Sequence, residues 1–282
     1  MAGLSGNFIT TDNNGYVHKM AYGGDAIRLY NGIQKQKAFK GNTLDAVQLK
    51  TPQIHWEKFG VDNSYTAKME GIVRFHHPLQ CNDLLWIALA KEYVDANLYN
   101  GNNHFPVTMP SGEVWRRLNI KIHAIMRRYD RYSTEEAGIY QIVKEAYDLF
   151  SVAFTTNLKP LPIGNYHGDF TTCNMLCVED AVYLIDFLDC VIPSPVVDVA
   201  KIRQDTAHGY ADLFGGVHKA TRQEADAIWV SLWEYETWWP YVPIFTLWHL
   251  LRILPYAEKS DLVKTWLLEK IPEATKELRG TF

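Results

Sequence analysis

The sequence contains no CxxC pair. Its four cysteines, Cys81, Cys173, Cys177 and Cys190, stand at spacings that suit neither a zinc site nor a disulfide framework. They read as reduced thiols packed as small apolar groups. The first residues, MAGLSGNFITTDNNG, show no basic segment followed by an apolar run, so no signal peptide is expected. No apolar stretch reaches the length of a membrane span. The strongest, Tyr241 to Tyr256, is broken by His249, Arg252 and two prolines and reads as a buried helix. An excess of basic charge is missing too: a net charge of -4 and a pI near 6.2 argue against bulk nucleic-acid binding. The local cluster Arg116, Arg117, Lys121, Arg127, Arg128 and Arg131 reads as the solvated face of a helix. Repeats and low-complexity segments are absent. These absences point to a cytoplasmic globular protein with no nucleic-acid partner and no membrane insertion.

What is present is ample core material. With 282 residues, 47% hydrophobic and 21% charged, the chain can form one large domain or two lobes sharing a cleft. Asn13-Asn14-Gly15 separates two short β-type runs, Asn7 to Asp12 and Tyr16 to Met20, which predicts a hairpin. A helix follows, with Asp25 as candidate N-cap and Gly41 as candidate stop. Strands are expected at Ala46 to Leu49, Ile54 to Phe59 and Tyr65 to Ile72, completing one small sheet. Helices are then expected at 82–97, 113–130, 134–152, 196–212, 221–239, 244–257 and 260–278. Between them, Asn174 to Val178 and Ala181 to Phe187 form a β-hairpin set in the helical part. The pattern is α+β, with a small β-rich lobe (1–75) before a larger, mainly helical lobe (76–282).

The chemistry gathers in His167-Gly168-Asp169-Phe170-Thr171-Thr172-Cys173-Asn174, followed by Tyr183-Leu184-Ile185-Asp186-Phe187. Phosphoryl transfer asks little covalent chemistry of a protein. It needs metal held against phosphate oxygens and an oriented hydroxyl. Asp169 can face the acceptor. Asn174, five residues on, can offer a carbonyl oxygen to Mg²⁺, and Asp186, at the end of an apolar strand, can hold the same ion. The D-x4-N spacing and the strand ending in Asp-Phe match the catalytic loop and metal-binding aspartate of kinases. Turn-capping roles for Asp169 and Asn174, helix-capping by Asp186, and a mononuclear metal site at His167 and Asp169 are the simpler alternatives.

HGDxxxxN followed by an IDF strand resembles the aminoglycoside phosphotransferase and choline kinase group, small-molecule kinases of protein-kinase-like fold. The resemblance implies ATP and Mg²⁺ as cofactors, with transfer to a hydroxyl of a sugar or amino alcohol. Asp169 would be catalytic. Because an ordinary aspartate, with a pKa of about 3.9, is a weak base, it would orient the hydroxyl and take the proton late. Asn174 and Asp186 would bind metal. Lys19, on the second strand of the hairpin, resembles the lysine that grips the α- and β-phosphates. Ser5 and Gly6, in Gly3-Leu4-Ser5-Gly6, resemble a shortened glycine-rich phosphate loop, and Met69-Glu70 resembles the hinge that meets adenine. His167 would brace the loop. Asp198 would accept its backbone N–H groups, although a simple helix-start charge accounts for it equally well.

One departure stands out. The helix after Lys19 carries no acidic residue beyond Asp25, where the family offers a glutamate to the lysine; Gln34 is the nearest substitute. Asp189, Trp233, Glu234 and Arg252 are candidates for the metal shell or the acceptor pocket, with Trp229 and Trp233 also readable as a buried stripe. Asp198–Asp205 together with the Leu250–Tyr256 segment resembles phosphotransferases of bacterial surface-polysaccharide pathways. A protein kinase is disfavoured by Gly168 in place of Arg, Leu188 in place of the Gly of D-F-G, and the missing A-P-E segment. A nucleotide-binding pseudokinase or regulator is the other alternative, supported by the missing helix glutamate.

Overall fold

The computed structural model describes residues 7–44, 47–72, 75–80, 85–99, 107–129, 134–156, 158–214, 219–257 and 260–282. In chain order its elements are β1 (Phe8–Thr11), β2 (Val17–Tyr22), α1 (Gly23–Ala38), β3 (Asn42–Leu44), β4 (Val47–Lys50), β5 (Ile54–Phe59), β6 (Ser64–Met69), α2 (Leu85–Tyr99), β7 (Thr108–Met109) and α3 (Ser111–Tyr129). Then come α4 (Thr134–Thr155), β8 (Leu161–Pro162), β9 (Met175–Val178), β10 (Ala181–Leu184), α5 (Pro195–Thr206), α6 (Lys219–Ser231), α7 (Tyr241–Ala257) and α8 (Asp261–Thr281). The chain divides into two compact units, residues 1–93 with 167–190, and residues 94–166 with 191–282.

In the first unit, β1 and β2 form the predicted hairpin. Asp12 closes its turn, its Oδ1 accepting the N–H groups of Asn14 at 2.9 Å and Tyr16 at 3.0 Å. Gly15 supplies the positive φ of 81° that the turn requires. The sheet runs β1-β2-β6-β5, all antiparallel. Helix α1 lies on it through Ala26, Leu29 and Ile33, whose spacing puts them on one stripe against Ala21, Tyr65, Ala67 and Met69. Asp25 proves to be a first-turn residue. Tyr22 is the N-cap and makes no side-chain cap bond, while the acidic group suits the helix dipole.

The expected single small sheet is in fact two. The strand at Val47–Lys50 joins β3 and pairs in parallel with β10, giving the order β3-β4-β10-β9. The hairpin β9-β10 thus belongs to the first unit. All four residues of β10 are buried, as expected of a strand flanked on both edges.

Among its described residues, the second unit is helical apart from the short β7-β8 pair and the connecting turns. Helix α5 starts on Ser194, whose Oγ accepts from Val196 N–H at 3.2 Å, with Pro195 in the first turn. It ends at Thr206, short of the expected 212, because Gly209 turns left-handed at φ 73°. Helix α6 stops at Ser231, and turns replace the helix expected up to residue 239. Helix α7 is apolar on nearly all sides and buried, and Trp229 Nε1 donates to Val199 O at 3.1 Å. Among the described residues, no helix is long and apolar enough to cross a membrane. Cys177 is buried and Cys173 and Cys190 are half-buried; Cys81 lies outside the described residues.

Candidate active site

The loop from His167 to Asn174 and the strand ending before Asp186 both fall in the first unit, as does Lys19. Gly168 takes φ 88°, open to glycine and costly to other residues. Asp169 N–H then meets Nδ1 of His167 at 3.3 Å, and Asp169 O accepts Thr171 N–H at 2.8 Å. One turn of 3₁₀ helix, Thr172–Asn174, brings the asparagine back over the loop. Its Nδ2 donates to Asp169 O at 2.7 Å and to Asp169 Oδ2 at 3.0 Å.

Ile185 N–H donates to Asn174 O at 3.0 Å and links the loop to the strand. Asp186 follows with φ 63°, left-handed backbone that costs a non-glycine residue ~1–3 kcal/mol and persists only where its surroundings impose it. The Asp186 carboxylate forms an ion pair with the Lys19 ammonium. Lys19 is only 6% exposed, and burial pulls its pKa down to about 8. Lys19, Asp169 and Asp186 line one cavity of about 200 Å³, together with Asn7, Ile9 and Arg28. His167 is fully buried, its ring centroid 4.1 Å from that of Phe187, and its backbone oxygen accepts Leu188 N–H at 2.8 Å. Burial pushes its pKa to about 3, so the ring is neutral at physiological pH. Among the described residues, no three His, Cys, Asp or Glu side chains cluster as a metal cage.

The cavity-facing stripe of α1 carries Asp25, Arg28, Leu29, Gly32, Ile33 and Gln36. Gln34, two positions from Gly32, projects from another face and donates to Glu57 Oε2 at 2.9 Å. The expectation that it serves Lys19 is therefore corrected: the lysine's ion pair is with Asp186. Asp189, expected near metal or acceptor, is instead held by α1, through Asn31 Nδ2 at 2.8 Å and Lys35 Nζ at 2.9 Å. Burial works to raise its pKa, but Lys35 and Asn31 outweigh that and lower it. Asn31, Gly32 and Lys35 were not singled out from the sequence. The phase of the helix, fixed by Ala26, Leu29 and Ile33, is the signal that points to them.

At the hinge candidate, Met69 is buried in the sheet core and Glu70 N–H is taken by Gln53 O at 2.8 Å. Gly71 passes so near Gly15 O that a Cβ would lie 1.8 Å from it. Ser5 and Gly6 lie outside the described residues. In the second unit, Trp233 is 2% exposed, its ring between those of Trp229 and Trp238, which makes it core and not a ligand platform. Glu234 is exposed in the turn after α6. Arg252 lies over the Trp248 ring at 5.1 Å and its Nη1 stands 3.3 Å from His249 Nδ1. Asp198 is fully buried in the first turn of α5.

No family model and no curated protein matches the sequence. Solved structures do match it in fold. A thermostable mutant of aminoglycoside phosphotransferase APH(4)-Ia, in ternary complex with AMP-PNP and hygromycin B, aligns with a TM-score of 0.61 at 12% identity. That alignment covers 96% of this chain and 93% of the other. LicA in complex with AMP gives 0.58 at 10% identity, over 100% and 91% of the two chains. A choline/ethanolamine kinase family protein from Mesorhizobium loti gives 0.54 at 12% identity, over 97% and 85%. The chain therefore has the kinase-like fold of the aminoglycoside phosphotransferases and choline kinases, a small β-rich part followed by a larger helical one.

Proposed function

We propose that this chain transfers the γ-phosphoryl group of ATP to a hydroxyl of a small molecule, a sugar or an amino alcohol. The observation that carries this proposal is the convergence of Lys19, Asp169, Asn174 and Asp186 in one unit. Their chemistry fits Mg²⁺ and nucleotide. The Asn174 carbonyl and Asp186 carboxylate are hard oxygen donors and too few to enclose an ion alone, which suits Mg²⁺, since it keeps water and phosphate in its shell. Lys19 supplies a fixed positive charge in a buried wall. Asn174 and Asp186 would hold the metal, which when bound would supply positive charge to offset that of the phosphates.

The chain's own residues account for the rest. The Asp169 oxygen not engaged by Asn174 orients the acceptor hydroxyl and takes its proton late in transfer. The Asn174 amide holds that carboxylate through one bond to its Oδ2 and pins the loop through a second to the Asp169 backbone oxygen, so little reorganisation is left for the reaction itself. Lys19, once its carboxylate partner turns to metal, steadies the phosphates. With Glu70 N–H already committed to Gln53, adenine would meet other backbone groups of the Met69–Ile72 segment. The acceptor class follows the fold's neighbours, one of which holds hygromycin B while another belongs to the choline/ethanolamine kinases.

The test is ADP release from ATP and Mg²⁺ in the presence of pooled sugars, amino alcohols and nucleosides, with Asp169→Ala alongside. Acceptor-dependent turnover lost in the variant is expected. Nucleotide binding without turnover on any pool would leave a nucleotide-binding regulator and overturn the enzyme.

A further inference from the structure

Three neighbouring residues of α1 reach the chain just beyond Asp186. Asn31 Nδ2 donates to Asp189 Oδ2 at 2.8 Å. Lys35 Nζ meets Asp189 Oδ1 at 2.9 Å and donates to Leu188 O at 2.7 Å. Between them, Gly32 lies so close to Phe187 that an added Cβ would stand 2.2 Å from its carbonyl oxygen. Residues 31, 32 and 35 fall on adjoining positions of one helix face. Phe187, Leu188 and Asp189 are thus each touched by α1. Immediately before them stands Asp186, in a left-handed conformation that a non-glycine residue keeps only under constraint. The same helix offers no glutamate to Lys19.

We propose that Asn31 and Lys35 are positioning residues that aim the Asp186 carboxylate. Helix α1 grips the segment after Asp186 and so fixes the metal ligand itself, in place of steadying the lysine. This rests on the assignment of Asp186 as metal ligand made above. Stability alone is a poor reason for the arrangement. The Lys35 and Asp189 side chains are 25% and 47% exposed, and ion pairs that wet add little to folding. The placement of a carboxylate beside reacting phosphates, by contrast, is sensitive to shifts well under a bond length.

The experiment measures the Kd of ADP by calorimetry, with Mg²⁺ and with EDTA, for the wild-type protein, Asn31→Ala, Lys35→Met and Lys35→Arg. Lys37→Met, which removes the ammonium paired with Glu57 on another face of α1, is the control. Melting temperatures are recorded for all. Asn31→Ala and Lys35→Met should lose about tenfold in the Mg²⁺-supported affinity, the weight of one charge-assisted hydrogen bond. Their affinity in EDTA should stay within about twofold, since exposed pairs contribute little to the fold itself. Lys35→Arg should recover most of the loss, and Lys37→Met should match wild type. Equal weakening with and without Mg²⁺, a fall in melting temperature alone, or unchanged Mg²⁺ dependence would each overturn the positioning role. A wild-type protein whose ADP affinity ignores Mg²⁺ would remove the metal assignment as well. The wild-type arm therefore judges the function and the variant arm judges α1.

Discussion

Gly32→Ala sets two known effects against each other. A glycine in mid-helix costs ~1 kcal/mol relative to alanine, so propensity alone would make the variant more stable. The geometry opposes this. The new Cβ would stand 2.2 Å from Phe187 O and 3.3 Å from Phe187 C, and the obstacle is backbone, which has no rotamer to yield. Carbon–oxygen contacts settle near about 3.3 Å, so α1 must recede by about 1 Å. Overpacking of this kind costs ~1–3 kcal/mol. The net effect is a loss of up to about 2 kcal/mol, or roughly 6 °C at about 3 °C per kcal/mol. The same recession stretches the Asn31 bond of 2.8 Å and the Lys35 bond of 2.7 Å beyond hydrogen-bonding range. Affinity for Mg²⁺–ADP should fall about tenfold with them. Gly138→Ala is the companion: Gly138 lies in α4 with nothing within 4 Å, so that variant should take the propensity gain alone. Circular-dichroism melting and calorimetry read both effects. A Gly32→Ala protein that melts higher, as Gly138→Ala does, and binds Mg²⁺–ADP like wild type would refute the close approach of α1 to Phe187.

Asn174→Ala should lower turnover by about 10²-fold or more, because it releases the Asp169 carboxylate and removes an oxygen donor together. Asn174→Asp should not restore it, since a carboxylate cannot donate to Asp169; recovery in that variant, followed by ADP release, would contradict the pairing. His208 is buried in the second unit, and burial, with Arg203, Lys270 and Arg222, holds its pKa at about 3. Its folded value lies below its unfolded one, so the unfolded chain binds the extra proton and stability is lost as pH falls from about 6.5 to 3, by up to ~1.4 kcal/mol per unit. Urea unfolding of His208→Gln should show a shallower acid slope than wild type, and identical slopes would dismiss the effect. Arg203, 8% exposed at its side chain, pairs with Asp226 and Glu277. Arg203→Leu strands those carboxylates and should cost ~3–5 kcal/mol by urea midpoint; an unchanged midpoint would show that solvent already screens the pair.

The parts of the site legible in the sequence were those specified locally. Asp169, Gly168 and Asn174 lie within one turn of each other, and Asp12, Asn14 and Gly15 close their hairpin with their own side chains and backbone. The parts that escaped depend on distant partners. Nothing within Val47–Lys50 says that it pairs with Ala181–Tyr183, more than a hundred residues away, because a strand's edge carries no address beyond its apolar pattern. The aromatic run Trp229, Trp233 and Trp238 kept a helix-like spacing past Ser231, yet the chain there is turn, and the rings are core on both sides of the break. Gln34 and Lys35 are neighbours in sequence, but about 100° of rotation sends one to Glu57 and the other to Asp189. Only the packed stripe decides which is which.

That rotation also bears on the missing glutamate. A buried ammonium needs a counter-charge close by; the acidic residue of α1, Asp25, pairs with Arg28, and Lys19 takes the carboxylate of Asp186. Burial of the lysine and strain at the aspartate then become two sides of one arrangement, each group held by the other and by the α1 contacts behind Phe187. In the proposed enzyme this has a thermodynamic consequence. A cation that claims Asp186 leaves Lys19 without its partner, and anionic phosphates are what can replace it. A nucleotide that claims Lys19 likewise frees Asp186 for a cation. Each ligand lowers the cost of binding the other, and linkage requires the two effects to be equal. A helix glutamate would have broken that coupling by giving the lysine a permanent partner; in the proposed enzyme its absence would make metal and nucleotide bind as a pair.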